Sequence, residues 1–308
     1  MPEAPASTEA RWGAIYATLA FLTWAALPIY FKAVAEVPPW EVLAHRVFWS
    51  ALFVALLLLL WRKGDGLLTV LRKGRLILWL TLSALLVSTN WLIFIWAIAN
   101  DHVLESSLGY YINPLLNVAL GVLVLRERLR RAQWIAIAIG TVGVSNLIWQ
   151  YGQIPWVALS LALTFAFYGL IRKRLPVDAL TGLFVETALL APLAAGYLIY
   201  LGLSDAGGAF GGVRWQLDVL LAIAGVLTAS PLILFAAAAR RLTLSTLGQL
   251  QYTVPTGHFL LAVLAFGEPF TSAHAVTFTC IWIALLIYAL DTYRSGATSL
   301  RTKTPPAS

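Results

Sequence analysis

Ten apolar runs follow one another along this chain with almost nothing between them, each close to the roughly 20 residues a helix needs to cross a bilayer. They fall at about 11–33, 40–61, 75–99, 103–125, 131–149, 153–171, 178–201, 217–239, 244–266 and 270–291. The longest connection, 203–216, contains Gly207, Gly208, Gly211 and Gly212 and is too short and irregular to fold alone. Hydrocarbon offers no partner to backbone N–H and C=O groups, so only helices or closed barrels span it, and these runs have helix length. The expected fold is an all-α polytopic membrane protein of ten transmembrane helices. Composition agrees, with 60% hydrophobic and 11% charged residues, against roughly 25% charged in soluble proteins.

The basic residues set an orientation. Of the 21 lysines and arginines, with the N-terminus placed on one side, only Lys32 and Arg214 fall on the opposite side and only Arg46 falls inside a span. Positive charge accumulates on cytoplasmic loops, so both termini are expected on the cytoplasmic side of the membrane. The net charge of +7 therefore reflects topology, and no nucleic-acid partner is expected. Cys280 is the single cysteine, which excludes a disulfide framework and a thiolate metal site. The first ten residues hold Glu3, Glu9 and two prolines and do not resemble a cleaved signal peptide. Residues 1–10 and 292–308 are expected as disordered tails.

The chain also repeats itself. One gap-free shift that lays Tyr111 on Tyr252 also lays Pro114 on Pro255, Leu120 on Leu261 and Glu127 on Glu268. The same shift lays Leu22-Thr23-Trp24-Ala25 on Leu163-Thr164-Phe165-Ala166, Lys32 on Lys173 and Phe94 on Phe235. The register lapses in the second and seventh spans and then returns. Two units follow, 11–149 and 153–291, each of five spans. Five is odd, so the second unit enters the membrane inverted, an arrangement characteristic of transporters whose halves exchange conformations.

The succession Glu41, His45-Arg46, Asn90-Trp91, Glu105-x-Ser107-Leu108-Gly109-Tyr110-Tyr111-x-Asn113-Pro114-Leu115-x-Asn117 and Arg126-Glu127-Arg128-Leu129 resembles the RarD-type permeases of the EamA group in the drug/metabolite transporter superfamily. Leu244-Ser245-Thr246-Leu247-Gly248, Gln251-Tyr252-x-x-Pro255 and Phe266-Gly267-Glu268-Pro269 are similar to that family's second half. The resemblance implies a ten-helix inverted-repeat fold in the bacterial inner membrane, a central cavity between the halves, and export of a small metabolite. It names no cargo.

Several residues are candidates for that cavity. On the fourth span Ser106, Tyr110, Asn113, Asn117 and Gly121 form one stripe at helical spacing. Gln251 and His258 are the repeat mates of Tyr110 and Asn117. Such a stripe faces protein or water, as cavity lining or as hydrogen-bonding glue between helices. A rival stripe on the ninth span comprises Ser245, Gln249, Tyr252 and Thr256. Arg46 lies roughly 9 Å inside the second span at about 1.5 Å per residue, where a charge is costly unless paired or hydrated. Glu105 or Glu41 as an ion-pair partner, a substrate carboxylate or phosphate, and snorkelling to the surface are the three ways to satisfy it. His45, Trp49 and Asn90 complete the expected substrate contacts. Glu105 and Glu186 are the ion-pair or proton-coupling candidates, with His258 a further proton carrier. Pro114 and Pro255 each free the carbonyl four residues back, on Tyr110 and Gln251, and make a pair of hinges. Glu127 and Glu268 lie in turns, where capping the following helix is the simplest role.

No cofactor or metal is expected. The chain has no G-x-x-x-x-G-K-[ST] phosphate loop, no H-E-x-x-H and no G-x-S-x-G turn, which argues against internal ATP driving and against a zinc or serine hydrolase. A small-molecule carrier in a lipid bilayer, not an enzyme, is the expectation. A flippase, a channel or a membrane-embedded transferase are the alternatives, and the oligomeric state is left open.

Overall fold

A computed structural model of the chain describes residues 6–62, 64–99, 103–152, 156–204, 207–212, 214–265 and 272–301. The helices run α1 Ala6–Ala33, α2 Pro39–Leu60, α3 Gly64–Leu71, α4 Gly74–Ala99, α5 Val103–Leu123, α6 Arg131–Tyr151, α7 Trp156–Arg174, α8 Ala179–Leu203, α9 Trp215–Arg241, α10 Leu244–Gln251, α11 Thr253–Leu264 and α12 Ser272–Arg301. No strand occurs among the described residues. Within them 7 helices are long and apolar enough to cross a membrane, and Leu108–Leu123 and Ala275–Asp291 are shorter apolar helices. Leu59, Leu78, Leu123, Trp149 and Leu193 stay exposed on the outside, an arrangement that water penalises and lipid does not. The protein is an all-α polytopic membrane protein.

Two elements depart from the expected runs. Residues 64–71 form a helix, α3, whose Leu67 and Val70 pack beside Leu80, Ile171, Leu175 and Val177. The apolar face of this segment is covered by the ends of α4, α7 and α8, so it folds where a loop was expected. The ninth run, expected as one span, is broken at Tyr252 into α10 and α11. Pro255 has no N–H for the Gln251 carbonyl, and the helix restarts at Thr253 with the Thr256 N–H on the Tyr252 carbonyl at 3.2 Å. Pro114, its repeat mate, sits inside the continuous α5.

The major helix pairings nearly all join residues of 11–149 to residues of 153–291: α1 packs on α9 and α11, α2 on α8 and α9, α4 on α7 and α8, α5 on α7 and α10, α6 on α12. The halves interlock, so the cavity is not a cleft between two separate domains. Exchanging the halves turns this set of pairings into itself: α1 with α9 becomes α7 with α4, α2 with α9 becomes α8 with α4, and α5 with α7 becomes α11 with α1.

Ends that belong together are tied by polar contacts. At the arginine-rich face Glu9 meets Arg241 at 2.9 Å, Arg174 donates to the Val124 carbonyl at 2.9 Å, and Arg130 pairs with Asp291. At the opposite face Glu36 meets Arg214, and the Glu41 carboxylate accepts from the Ala209 amide. Between the two faces α2 and α9 touch at Gly225, where an added Cβ would lie 2.5 Å from Trp49 Cβ and 2.6 Å from the Ser50 nitrogen. Ser50 Oγ donates to the Gly225 carbonyl at 3.1 Å, so a small residue and a hydroxyl together allow the close crossing.

Candidate functional site

Eight helices converge on a cavity of ≈ 110 Å³ in the half of the bundle away from the arginine-rich face. That is room for several waters or a small ligand, since one water needs about 10–15 Å³ of such space. α1 contributes Trp24 and Phe31, α2 Arg46, α4 Asn90, Trp91 and Phe94, α5 Tyr110 and Asn113, α7 Phe165, α9 Thr228, and the α10–α11 break Gln251 and His258. Both members of three repeat pairs line the one space: Trp24 and Phe165, Tyr110 and Gln251, and Trp91 and Leu232.

Arg46 is 8% exposed. Its Nε donates to Thr228 Oγ1 at 3.0 Å, and its guanidinium lies over the rings of Phe31 at 5.3 Å and Trp91 at 5.1 Å, contacts that partly replace lost hydration. Among the described residues no carboxylate is within ion-pair distance of it. Glu41, one of the two expected partners, is turned to the Ala209 amide and lies 4.0 Å from His45 Nε2. The Glu105 side chain lies outside the described residues. The other described carboxylates are engaged elsewhere: Glu9, Glu36, Glu186 and Asp291 with arginines, Glu127 and Asp178 on helix N-termini, Asp218 on the Gly211 amide.

The remaining polar groups are oriented by bonds that consume one side of each. The Asn90 amide donates to the Leu161 carbonyl at 2.8 Å and to Thr164 Oγ1 at 2.9 Å, which leaves Oδ1 as its acceptor. Asn113 Nδ2 donates to the Ala162 carbonyl at 2.9 Å. His258 Nε2 is 3.1 Å from the Trp24 carbonyl; a carbonyl only accepts, so the hydrogen sits on Nε2 and Nδ1 is the free acceptor of the neutral ring. Asn117 lies one turn below, fully buried, donating to Asn113 Oδ1 at 3.0 Å and Gln251 Oε1 at 2.7 Å. It therefore belongs to the floor, with Gly248 pressed on the Pro114 carbonyl and the rings of Phe21, Tyr168 and Phe235 beneath.

Comparison with known proteins adds an independent line. The EamA-like transporter family matches residues 11–149. An uncharacterized transporter of Vibrio cholerae is 48% identical over 299 residues, 97% of this chain and 99% of that protein. The protein RarD of Escherichia coli is 45% identical over 283 residues, 92% of this chain and 95% of that protein. The chain belongs to the EamA-like transporter family. It is a RarD-type member, and a multi-pass membrane transporter in that sense. A crystal structure at 20% identity shares the fold with a TM-score of 0.69, covering 90% of this chain and 97% of that one.

In this EamA member, His45 and Trp49 lie outside the cavity. Trp49 Nε1 donates to His45 Nδ1 at 3.2 Å, and both rings pack on Phe210, at 6.0 and 5.0 Å. They share α2 with Arg46, but a step of one residue turns a side chain by roughly 100°, which carries His45 to the face packed under the 207–212 segment. The rival stripe is also turned away from the cavity. Ser245 bonds to Glu127, Tyr252 is fully buried with its hydroxyl 3.5 Å from the Cβ position of Gly140, and Trp282 donates to Thr256.

Glu186 and Arg172 form a second buried polar group of this permease, and neither lines the cavity. Both are 1% exposed and meet at 3.5 Å; Ser83 Oγ donates to Glu186 at 2.6 Å, and Arg172 Nη2 donates to the Ala179 carbonyl at 3.1 Å. Arg172 had the signature of a surface topology residue, placed as it is in Arg172-Lys173-Arg174. The close turn into α8 folds it back inside, against Gly182, where no other residue leaves it space. Trp91 stands in the sequence only as the neighbour of Asn90, and Phe31 and Thr228 give no signal at all, because a ring or a lone hydroxyl on a spanning helix looks the same whether it faces lipid, a neighbouring helix or a cavity.

Glu127 does cap a helix, though not the one that follows it. Its carboxylate accepts from the Leu244 amide at 2.6 Å, the Ser245 amide at 3.0 Å and Ser245 Oγ at 2.7 Å, so it caps α10 in the other half. Gly121 makes this possible, since a Cβ there would meet Glu127 Oε2 at 2.5 Å. Glu268 lies outside the described residues.

Proposed function

We propose that the chain is a secondary-active permease that exports a small metabolite or drug-like molecule by alternating access. Two inverted five-span repeats, 11–149 and 153–291, move about the shared cavity, in a bacterial inner membrane with both termini in the cytoplasm. The observation that carries this reading is the cavity itself, lined by both members of several repeat pairs, with the α5–α10 seam on its arginine-rich side. A pseudo-two-fold axis through the site is what inverted-repeat exchange needs. On this reading the conformation faces outward, with Glu127 holding the cytoplasmic side shut. The break before Pro255 against the unbroken α5 at Pro114 fits two copies of one unit held in different conformations, as a carrier away from its symmetric midpoint requires.

Liposomes holding the purified protein and loaded with a small-molecule extract of bacterial cells test the reading. At least one compound should leave these vesicles chemically intact, with saturable kinetics, and stay in protein-free ones. An enzyme would instead change the mass of a component, and a channel would release solutes without saturation; either result, or no release at all, defeats the carrier reading. Orientation has its own check. Cysteine at Gly208 should react with an impermeant maleimide added outside intact cells, whereas cysteine at Gly64 should react only after permeabilisation. Reaction at Gly64 in intact cells would invert the assignment.

A further inference from the structure

The free donors and acceptors around the cavity define a class of cargo. Arg46 lines the cavity, is more than nine-tenths buried, and makes its one hydrogen bond to a described residue through Nε, which leaves both Nη nitrogens without a described hydrogen-bond partner. Two parallel N–H groups of a guanidinium match a carboxylate in a bidentate fork. Gln251 gives its carbonyl to Asn117, so its amide NH₂ is the part left to donate. The acceptors on offer, Asn90 Oδ1 and His258 Nδ1, are neutral. No described carboxylate stands in the cavity to receive an ammonium. The walls are flat and apolar, chiefly Trp24, Phe31, Trp91, Phe94 and Phe165.

Resting on the transporter reading for its physiological meaning, we propose that the cavity binds an organic monoanion: a planar apolar body with a carboxylate on Arg46 Nη and no amine. An amine would bring a positive charge beside Arg46 with no described counter-charge, a repulsive element that rejects zwitterions and cations as firmly as the fork accepts a carboxylate. A neutral amide of the same shape loses the charge-assisted bonds.

Four probes of one skeleton separate these cases: 3-phenylpropionate, 3-phenylpropanamide, phenylalanine and 3-phenylpropylamine. Binding is measured on the purified full-length protein in detergent by quenching of tryptophan fluorescence and by calorimetry. The expected result is that 3-phenylpropionate binds at least tenfold more tightly than each of the other three. Arg46→Gln should bring the anion and the amide within twofold of one another, while Arg46→Lys, which keeps the charge but not the fork, should retain part of the preference. Glu105→Gln tests whether that side chain, a candidate partner of Arg46 in the sequence, competes with the anion for it. The inference is overturned if phenylalanine or the amine binds as well as the anion, or if none of the four binds. It is also overturned if Arg46→Gln keeps the preference in a folded protein, or if the preference emerges only once Glu105 is neutralised. Because binding is read without flux, the two readings fail separately. Anion binding without release from vesicles overturns the permease and leaves this site standing, and flux without anion preference does the reverse.

Discussion

Arg172→Leu should cost about 3–5 kcal/mol of stability, the usual penalty for removing one partner of a buried ion pair and leaving the other charge alone. Glu186 would then keep the Ser83 hydroxyl as its donor in a site that is 1% exposed, and the Asp178 and Ala179 carbonyls at the head of α8 would lose the guanidinium that bridges them to α7. The pair itself is not a strong one. Its separation is 3.5 Å, longer than the roughly 2.7–2.9 Å of a good charged hydrogen bond, and Glu186 Oε2 and Arg172 Nε have no hydrogen-bond partner. Desolvating two charges for so little attraction is near break-even, so Arg172→Met combined with Glu186→Leu should recover most of the loss. Thermal unfolding in detergent of Arg172→Leu and of the double variant checks this. A midpoint for Arg172→Leu equal to that of the parent would mean that water reaches the pair and that it is not buried in solution.

Glu127→Ala should release the α5–α10 seam. Three donors converge on that carboxylate, at 2.6, 3.0 and 2.7 Å, and hydrogen bonds to a charged group are worth about 1.5–3 kcal/mol each. Water at the surface takes back part of this once the seam parts, so a net bias toward opening of about 2–4 kcal/mol is expected. That corresponds to a change of roughly 30- to 1,000-fold in the ratio of open to closed forms. Gly121→Ala should act in the same direction, by forcing the carboxylate and Ser245 Oγ away from the Cβ it introduces. Leu247 is fully buried behind the seam, so cysteine at this position reports the opening. It should be inert to maleimide in an otherwise unchanged protein and reactive when Glu127 is alanine. If Leu247→Cys stays inert in a folded Glu127→Ala protein, Glu127 is an ordinary cap and holds no gate.

Both predictions concern residues whose roles one-dimensional reading assigned differently. Arg172 counted toward orientation because it belongs to a basic triplet, and its neighbours Lys173 and Arg174 do contact helix-end carbonyls at that face. Burial of the first of the three follows from the tight turn between α7 and α8, which brings Gly182 over the guanidinium. Glu127 was read as a cap, which it is, but local spacing points to the next helix in sequence, and the helix it caps begins at Leu244.

What the sequence determined by itself is everything that depends on the solvent and on short-range geometry. Lipid forces each apolar run into a helix, so the helical class follows from run length and composition. Proline removes one amide wherever it stands, so a weakness before both Pro114 and Pro255 was legible, but that α5 runs on through Pro114 while the chain breaks at Tyr252 was not; a shift shared by Tyr111, Pro114, Trp24 and Phe94 pointed to a repeat. That Arg46 needs more than a bilayer was also legible, because an unpaired, unhydrated charge at that depth is costly whatever surrounds it. Which side chains meet was decided only by tertiary packing. Interlocking of the two halves sets Thr228 against Arg46, turns Glu41 to Ala209, sends His45 and Trp49 under Phe210 and puts Asn117 in the floor. On a helix surrounded by apolar neighbours on every side, hydrophobic periodicity is too flat to tell lipid from cavity, and only the crossing of partners distant in sequence makes that distinction.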